Sequence, residues 1–275
     1  MRVIKGRAGA TVKPLSGSQI YNLQKRNGFP KLVAEGDSWF DFPFPTSQER
    51  KPRRDLVDFL SLKHDFAIKS VAKRGDTLDN MAYNTIDKAI KVIKKEKPVG
   101  FIFSGGGNDI AGPELSAFLN HKDSGNSIIR KDMFKLYLNT VIKTSYMNII
   151  DKVLNSKSDI QIFGHGYDYV NPNGKAAFSI LWANLSGPWL DPVFQSKGIP
   201  KSEMQLRKDT LKWFVDQFND LLLEIDHEID NYNYVNFRGT INSNGWHDEI
   251  HPKKDGFEKL SNIMAATIKK TLSID

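Results

Sequence analysis

The chain has 275 residues, of which 40% are hydrophobic and 11% aromatic, and it contains no cysteine. This length and apolar content predict a globular protein with a sizeable core. The absence of cysteine excludes disulfide frameworks, thiol nucleophiles and cysteine-ligated metal sites. The formal net charge of +7 would suit nucleic acid, anionic lipid or an acidic substrate. The lysines are scattered, however, and no nucleic-acid-binding motif accompanies them, so we expect no nucleic-acid partner.

The N-terminal segment 1–30 is interpreted as a basic extension, and it lacks the apolar stretch that a signal peptide requires. No later segment is apolar enough to span a membrane. We therefore expect a cytoplasmic protein, or one that is exported without a cleaved leader. No linker divides residues 31–275, which are predicted to form a single domain. The sequence does not indicate an oligomeric state.

Short apolar runs alternate with longer segments of helical periodicity along the chain. This pattern predicts strands at 32–36, 66–72, 99–104, 159–164 and 234–237. The predicted helices lie at 54–63, 78–95, 129–155, 203–229 and 254–270. Such helices can connect parallel strands by right-handed crossovers. The predicted fold is an α/β sandwich, with a parallel sheet between two layers of helices.

One segment, residues 171–200, breaks this alternation. It contains too many prolines and glycines for a helix, and it is too aromatic for a disordered linker. Loops of this length in compact domains are commonly lids or binding loops. We therefore expect an aromatic loop insert, in which Trp182 and Trp189 are candidates for substrate contact.

Three predicted strands are followed at once by glycine and small polar residues, in the sequences GDS, AKRGDT and SGGGND. The carboxyl ends of parallel strands share one edge of the sheet, where ligands bind. Ser38, in the first of these turns, is a candidate nucleophile. Such a serine needs a base and a group that orients the base. The sequence WHDEIHP supplies His251 as the base and Asp248, three residues earlier, to orient it.

A serine nucleophile also needs hydrogen-bond donors for the developing oxyanion. The backbone amides of Ser38 and Gly75 and the side-chain amide of Asn108 are the candidates. Glycine at position 75 is expected to let the main chain approach closely. The adjacent Asp109 is interpreted as the cap of a following turn.

These turns resemble the four motifs of the SGNH hydrolases, also called GDSL esterases and lipases, which carry Ser, Gly, Asn and His in that order. The matches are GDS at 36–38, Gly75, GGND at 106–109 and DEIH at 248–251. They span most of the chain. The resemblance implies a flavodoxin-like sandwich with a five-stranded parallel sheet. It also implies acyl-ester hydrolysis by Ser38, His251 and Asp248, with an oxyanion hole formed by Ser38, Gly75 and Asn108.

The two histidines of HDEIH stand four residues apart, a spacing that would suit a metal on a helix. Pro252 disfavours helical geometry at His251, so the segment is interpreted as a loop that leads into the last helix. The arrangement also differs from the zinc metalloprotease motifs. We expect neither a metal nor an organic cofactor.

Trp39, Phe40 and His165 are further candidates for the substrate pocket, although packing in the core would explain each of them equally well. The predicted activity is hydrolysis of a carboxylic ester through an acyl-enzyme. The substrate would be a small-molecule, lipid or glycan ester, and the sequence does not distinguish among these. Two alternatives stay open: a non-catalytic binding or adaptor module, and a thioesterase or carbohydrate deacetylase that uses the same site.

Overall fold

The computed structural model describes residues 16–42, 55–180 and 183–274. Its strands are β1 (Lys31–Gly36), β2 (Ala67–Ser70), β3 (Gly100–Ser104), β4 (Gln161–His165), β5 (Phe178–Ile180), β6 (Ala183–Ser186) and β7 (Tyr232–Val235). Five of them form one sheet in the order β2-β1-β3-β4-β7, in which every neighbouring pair is parallel. Each strand predicted from the sequence is present, and the predicted parallel α/β architecture is confirmed.

The helices are α1 (Gly17–Arg26), α2 (Leu56–Lys63), α3 (Leu78–Asn80), α4 (Ile86–Glu96), α5 (Gly107–Ile110), α6 (Lys131–Tyr137), α7 (Lys143–Ser156), α8 (Asp191–Ser196), α9 (Met204–Glu228) and α10 (Lys254–Leu272). Turns of π-helix join α3 to α4 and α6 to α7, so that each pair fills one predicted helix. The predicted helix 54–63 is α2, which Asp55 caps. No helix in the described ranges is long and apolar enough to cross a bilayer.

The two faces of the sheet bury separate apolar clusters. Alternate residues of β1 point to opposite faces, so Val33 packs with α4, α7 and α9, whereas Leu32 and Ala34 pack with α2 and α10. Because helices cover both faces, nearly all residues of the central strands β1, β3 and β4 are buried. Polar side chains can therefore meet a ligand at the carboxyl end of the strands.

Part of the predicted N-terminal extension belongs to the folded domain. Helix α1 packs against β2 and α2. The Tyr21 hydroxyl donates a hydrogen bond to Glu96 (2.7 Å), and the Gln24 amide donates to the carbonyl of Ser61 (2.5 Å). Residues 1–30 were interpreted as an extension because they are basic, yet part of this segment forms a helix that packs against the domain.

The insert at 171–200 is not simply a loop, and that prediction is corrected. Strands β5 and β6 form an antiparallel pair, and α8 follows them. A proline lies in the first turn of α8. Proline is tolerated there because the first backbone N–H groups of a helix have no partner within it. The proline content of this segment is therefore compatible with a helix, contrary to the prediction.

Gly36, the last residue of β1, lies opposite Ser104 of β3. A Cβ atom at Gly36 would lie 2.8 Å from the Ser104 Cβ and 2.9 Å from the Ser104 carbonyl oxygen. Real side chains essentially never approach this closely, so the two strands would have to separate. The glycine of the GDS sequence thus permits close strand contact directly before Ser38.

We expect Gly36→Ala to lower the free energy of unfolding by roughly 1–3 kcal/mol, the usual effect of overpacking. Urea denaturation measures this change. Gly17→Ala is the matched control, since no atom would lie within 4 Å of a Cβ at Gly17. Equal stability of the two variants would contradict the steric explanation.

Candidate active site

The turn that carries Ser38 is held by the buried carboxylate of Asp37. Its Oδ1 accepts hydrogen bonds from the Trp39 backbone N–H (2.9 Å) and the Ser104 hydroxyl (2.9 Å). The Tyr167 hydroxyl donates to Oδ2. Burial raises the pKa of Asp37, and these hydrogen bonds oppose that shift. The network fixes the turn at the carboxyl end of β1.

Ser38, His251 and Asp248 come together as the sequence predicts. The Ser38 Oγ lies 2.7 Å from the His251 Nε2, and the His251 Nδ1 lies 2.9 Å from the Asp248 Oδ2. The serine and histidine are 9% and 4% exposed, and the aspartate is fully buried at 0%. A continuous hydrogen-bonded relay therefore connects a serine hydroxyl at the sheet edge to a buried carboxylate.

Several hydrogen bonds stabilise the ionised form of Asp248. Its Oδ1 accepts from the backbone N–H groups of Ile250 and His251, each at 2.9 Å. Burial on its own would raise the pKa of Asp248, but hydrogen bonds from His247 and His251, with the charge of His251, lower it overall. Asp248 is therefore suited to stabilise a positively charged imidazole.

Gly75 and Asn108 line the same cavity as Ser38 and His251. Within the described residues, no acceptor takes the backbone N–H of Ser38 or Gly75. The Asn108 Nδ2 donates to the Asp76 carbonyl (2.8 Å). Gly75 has φ +73°, and a Cβ there would meet no atom within 4 Å. The left-handed backbone, rather than close approach, is the reason for glycine at this position.

His247 and His251 both contact the carboxylate of Asp248. Their Nδ1 atoms lie 3.2 Å and 2.9 Å from its Oδ2. The segment is a loop, as predicted, since α10 begins at Lys254. Among the residues that the structure describes, no group of three or more His, Asp or Glu side chains could hold a metal.

Two cavities meet at Ser38. The apolar cavity, of about 680 Å³ including its mouth, is lined chiefly by Ile110, Leu115, Val170, Leu211, Phe214 and Phe218. The polar cavity, of about 540 Å³ on the same measure, is lined by Arg74, Gly75, Ser186, Trp189 and His251 among others. Ser38, Asn108 and Ile250 line both cavities.

Two of the predicted pocket residues line these cavities. Trp39 lines the apolar cavity. Trp189 lines the polar cavity, and its ring centroid lies 5.3 Å from that of His251. Trp182 lies outside the described residues. The insert therefore reaches the site through Trp189.

Phe40 and His165 line neither cavity and belong to the core, which corrects their assignment to the pocket. Both are at least 97% buried, with exposures of 3% and 0%. The His165 ring packs against Phe40 and Phe237, and burial lowers its pKa to about 4. The imidazole is therefore neutral. Its place at the end of β4 resembled a site position, but its side chain packs among aromatic side chains of the core.

Asp109 caps a different segment from the one expected. Its carboxylate accepts hydrogen bonds from the backbone N–H groups of Leu78 (2.7 Å) and Asp79 (3.4 Å). It therefore caps α3, which precedes it in the chain, instead of a following turn. Burial raises the pKa of Asp109 to about 6.

Glu249 is a residue of the site region that the sequence analysis overlooked. It is fully buried, and its carboxylate accepts hydrogen bonds from four backbone N–H groups of the insert, those of Gly174 (3.0 Å), Trp189 (2.6 Å), Leu190 (2.7 Å) and Asp191 (3.0 Å). Burial raises the pKa of Glu249, and these bonds oppose the shift. The carboxylate next to Asp248 thus attaches the insert to the site loop. The sequence signal that could have found Glu249 was a second carboxylate between Asp248 and His251.

Glu35, three residues before Ser38, is a buried carboxyl group outside the relay. Neither of its oxygens has a hydrogen-bond partner among the described residues. Burial, followed by the nearby charge of Asp76, raises the pKa of Glu35 to about 8. Glu35 is therefore largely protonated at neutral pH.

The fold of the chain is that of the SGNH hydrolases, and the recognition from the four motifs is confirmed at this level. A possible lipase from Chitinophaga pinensis DSM 2588 is similar, with a TM-score of 0.57 and 14% identity over 89% of this chain and 99% of that one. A family 3 carbohydrate esterase from Clostridium thermocellum has a TM-score of 0.50 and 16% identity over 89% and 98%. Phospholipase A1 from Streptomyces albidoflavus NA297 has a TM-score of 0.50 and 14% identity over 87% and 99%. No protein-family model and no curated protein sequence matches the chain.

We expect Glu35→Gln to gain stability relative to the parent protein as the pH rises. The folded-state pKa of about 8 lies above the ordinary value of 4.5, so the folded protein keeps a proton that the unfolded chain releases. This stabilisation is complete below pH 4.5 and is lost as the pH rises through 8. Between these limits the difference in unfolding free energy should change by at most about 1.4 kcal/mol per pH unit.

Urea denaturation at several pH values between 5 and 8 measures this difference. Glu224→Gln, which changes a largely exposed glutamate of α9, is the control. A constant difference between Glu35→Gln and the parent protein across this range would show that Glu35 titrates normally.

Proposed function

We propose that the protein is a serine hydrolase that cleaves carboxylic esters through an acyl-enzyme. The observation that carries this proposal is the relay from the Ser38 Oγ through His251 to Asp248, with its 2.7 Å and 2.9 Å contacts. It lies at the carboxyl edge of a sheet whose fold is shared with lipases and esterases. That edge is where ligands bind in open parallel sheets.

In the first half-reaction, the His251 Nε2 accepts the Ser38 proton while the Oγ attacks the ester carbonyl carbon. The carbonyl oxygen becomes an oxyanion, which the N–H groups of Ser38 and Gly75 and the Asn108 amide stabilise. The imidazolium then donates its proton to the leaving alcohol as the carbon–oxygen bond breaks. This step leaves the acyl group on Ser38.

In the second half-reaction, water takes the place of the alcohol. His251 accepts a proton from the water as it attacks the acyl carbon, and then returns that proton to the Ser38 Oγ as the carboxylic acid departs. Asp248 stays ionised throughout, because its hydrogen bonds lower its pKa, and it stabilises the imidazolium in both steps. Neither half-reaction needs a cofactor.

We expect Ser38→Ala to lower ester turnover by several powers of ten, because the covalent intermediate can no longer form. Its melting temperature should stay close to that of the parent protein. A fluorophosphonate probe should label the parent protein at Ser38, as identified by mass spectrometry. Absence of labelling would favour a non-catalytic binding module.

His251 and His247 provide a comparison between the relay and a metal site. His251→Ala should lose nearly all activity, whereas His247→Ala should keep most of it, because it is the His251 Nε2 that meets the Ser38 Oγ, while the His247 ring contacts Asp248. Dialysis against EDTA should leave the rate unchanged. Loss of activity on chelation, restored by zinc, would contradict the serine mechanism.

Asn108→Ala should lower kcat about a hundredfold to a thousandfold, which is the usual effect of removing one oxyanion donor. KM should change much less, because the amide acts on charge that develops only in the transition state. Asn84→Ala, which alters an exposed asparagine of the π-helical turn, is the matched control. A raised KM with unchanged kcat would instead assign Asn108 to substrate binding.

A further inference from the structure

The apolar cavity is a built channel that begins at the nucleophile. Leu211, Phe214, Val215 and Phe218 line it from one face of α9, at the i, i+3, i+4 and i+7 positions. Ile110, Ala111 and Leu115 also line it. Away from Ser38, the lining carries no charged group. A ligand that extends from Ser38 into this cavity therefore meets hydrocarbon.

The polar groups that line the apolar cavity lie near Ser38. Several of them already form hydrogen bonds with other protein groups. The Tyr167 hydroxyl donates to Asp37 and accepts from the backbone N–H of Gly107 (3.1 Å). The Asn108 amide donates to a backbone carbonyl. A hydroxyl-rich ligand such as a saccharide would find few free partners here, whereas an alkyl chain would need none.

The polar cavity has a mixed lining, in which charged and polar side chains lie beside Phe42, Ala177, Trp189 and Ile250. Arg74 and Ser186 line it together with His251, the group that would protonate the leaving alcohol. Because the two cavities meet at Ser38, an ester bound there would place its acyl and alcohol parts in different surroundings. The alcohol part fits the polar cavity, beside the general acid.

We propose that the apolar cavity binds an alkyl acyl chain longer than acetyl, and that Glu249 is the residue that holds Leu190, which lines this cavity, in place. The proposal rests on the proposed ester hydrolysis. It names the substrate class as esters of apolar, medium-chain acids, and it assigns a positioning role to a residue outside the relay.

Among the described residues, the insert contributes one, Leu190, to the lining of the apolar cavity. The Leu190 side chain lines the apolar cavity, while its backbone N–H donates to Glu249. Trp189 lines the polar cavity and donates to the same carboxylate. On the far side of the insert, Arg207 of α9 is fully buried and binds Asp191 (2.6 Å). The Glu249 carboxylate thus links the insert directly to the loop that carries the relay.

The first experiment measures kcat/KM for 4-nitrophenyl acetate, butanoate, hexanoate and octanoate. For the parent protein we expect a rise of up to roughly fourfold for each added methylene, until the cavity is filled. Ala111→Phe, which puts a ring into the cavity, should lower kcat/KM for octanoate about tenfold or more, since about two methylenes would be excluded. The loss should become smaller as the acyl chain shortens, so acetate should lose the least.

Ala117→Phe is the matched control, because Ala117 is exposed and lines neither cavity. If Ala111→Phe does not fold, Val215→Phe on α9 tests the same space. A parent protein that is fastest with acetate or with acetylated xylan would overturn the acyl-chain assignment while leaving the ester hydrolase intact. If the fluorophosphonate probe failed to label Ser38, the proposed function itself would fail, and this inference with it.

The second experiment tests Glu249→Gln. The amide nitrogen of this glutamine is a donor, so it cannot accept the backbone N–H hydrogen bonds that the carboxylate accepts. We expect the gain in kcat/KM from butanoate to octanoate to shrink about tenfold or more, which corresponds to the loss of about two methylene contributions. Acetate turnover and labelling of Ser38 should stay within a few-fold of the parent values. Glu224→Gln is the control, and Glu249→Asp, which withdraws the carboxylate by one methylene, replaces the variant if it does not fold. An equal loss for all chain lengths, or no loss, would overturn the positioning role.

Discussion

Buried carboxylates that accept backbone N–H hydrogen bonds hold the loops at the carboxyl edge of the sheet. Asp37 holds the nucleophile turn, and Asp168 joins the loop after β4 to the loop after β7 through the N–H groups of Gly239 and Ile241. Asp248 and Glu249 act in the same way on the last loop and on the insert. A buried charge is costly unless it is hydrogen-bonded, so each carboxylate strongly favours one loop conformation.

This arrangement explains how a relay made of loop residues can be ordered. Ser38 and His251 lie more than two hundred residues apart, yet their Oγ and Nε2 atoms meet at 2.7 Å. Neither residue lies within a helix or strand of the described chain. The precision comes from Asp37, which accepts the backbone N–H of Trp39 next to Ser38, and from Asp248, which accepts the backbone N–H of His251 itself. For the proposed ester hydrolysis, a site organised before the substrate binds needs little reorganisation.

The adjacent acids of the DEIH segment have separate tasks. Asp248 points toward the histidine, whereas Glu249 binds the backbone of the insert, and Ile250 then lines both cavities. One short loop therefore links the hydrogen bonds of Ser38, His251 and Asp248 to residues that line both cavities. The insert is attached to this loop through Glu249, and its Trp189 also contacts the His251 ring. A change in the insert can in this way alter the cavities and the surroundings of His251.

The sequence by itself determined the α/β class and the five strands of the sheet, and it marked Ser38, Asp248 and His251 as candidate site residues, because hydrophobic periodicity and short motifs are local properties. Only the tertiary structure decided that His165 belongs to the core, that the insert contains strands and a helix, and that Glu249 binds it. These features depend on which side chains meet after the chain folds. Burial and long-range hydrogen bonds are not encoded in the spacing of neighbouring residues.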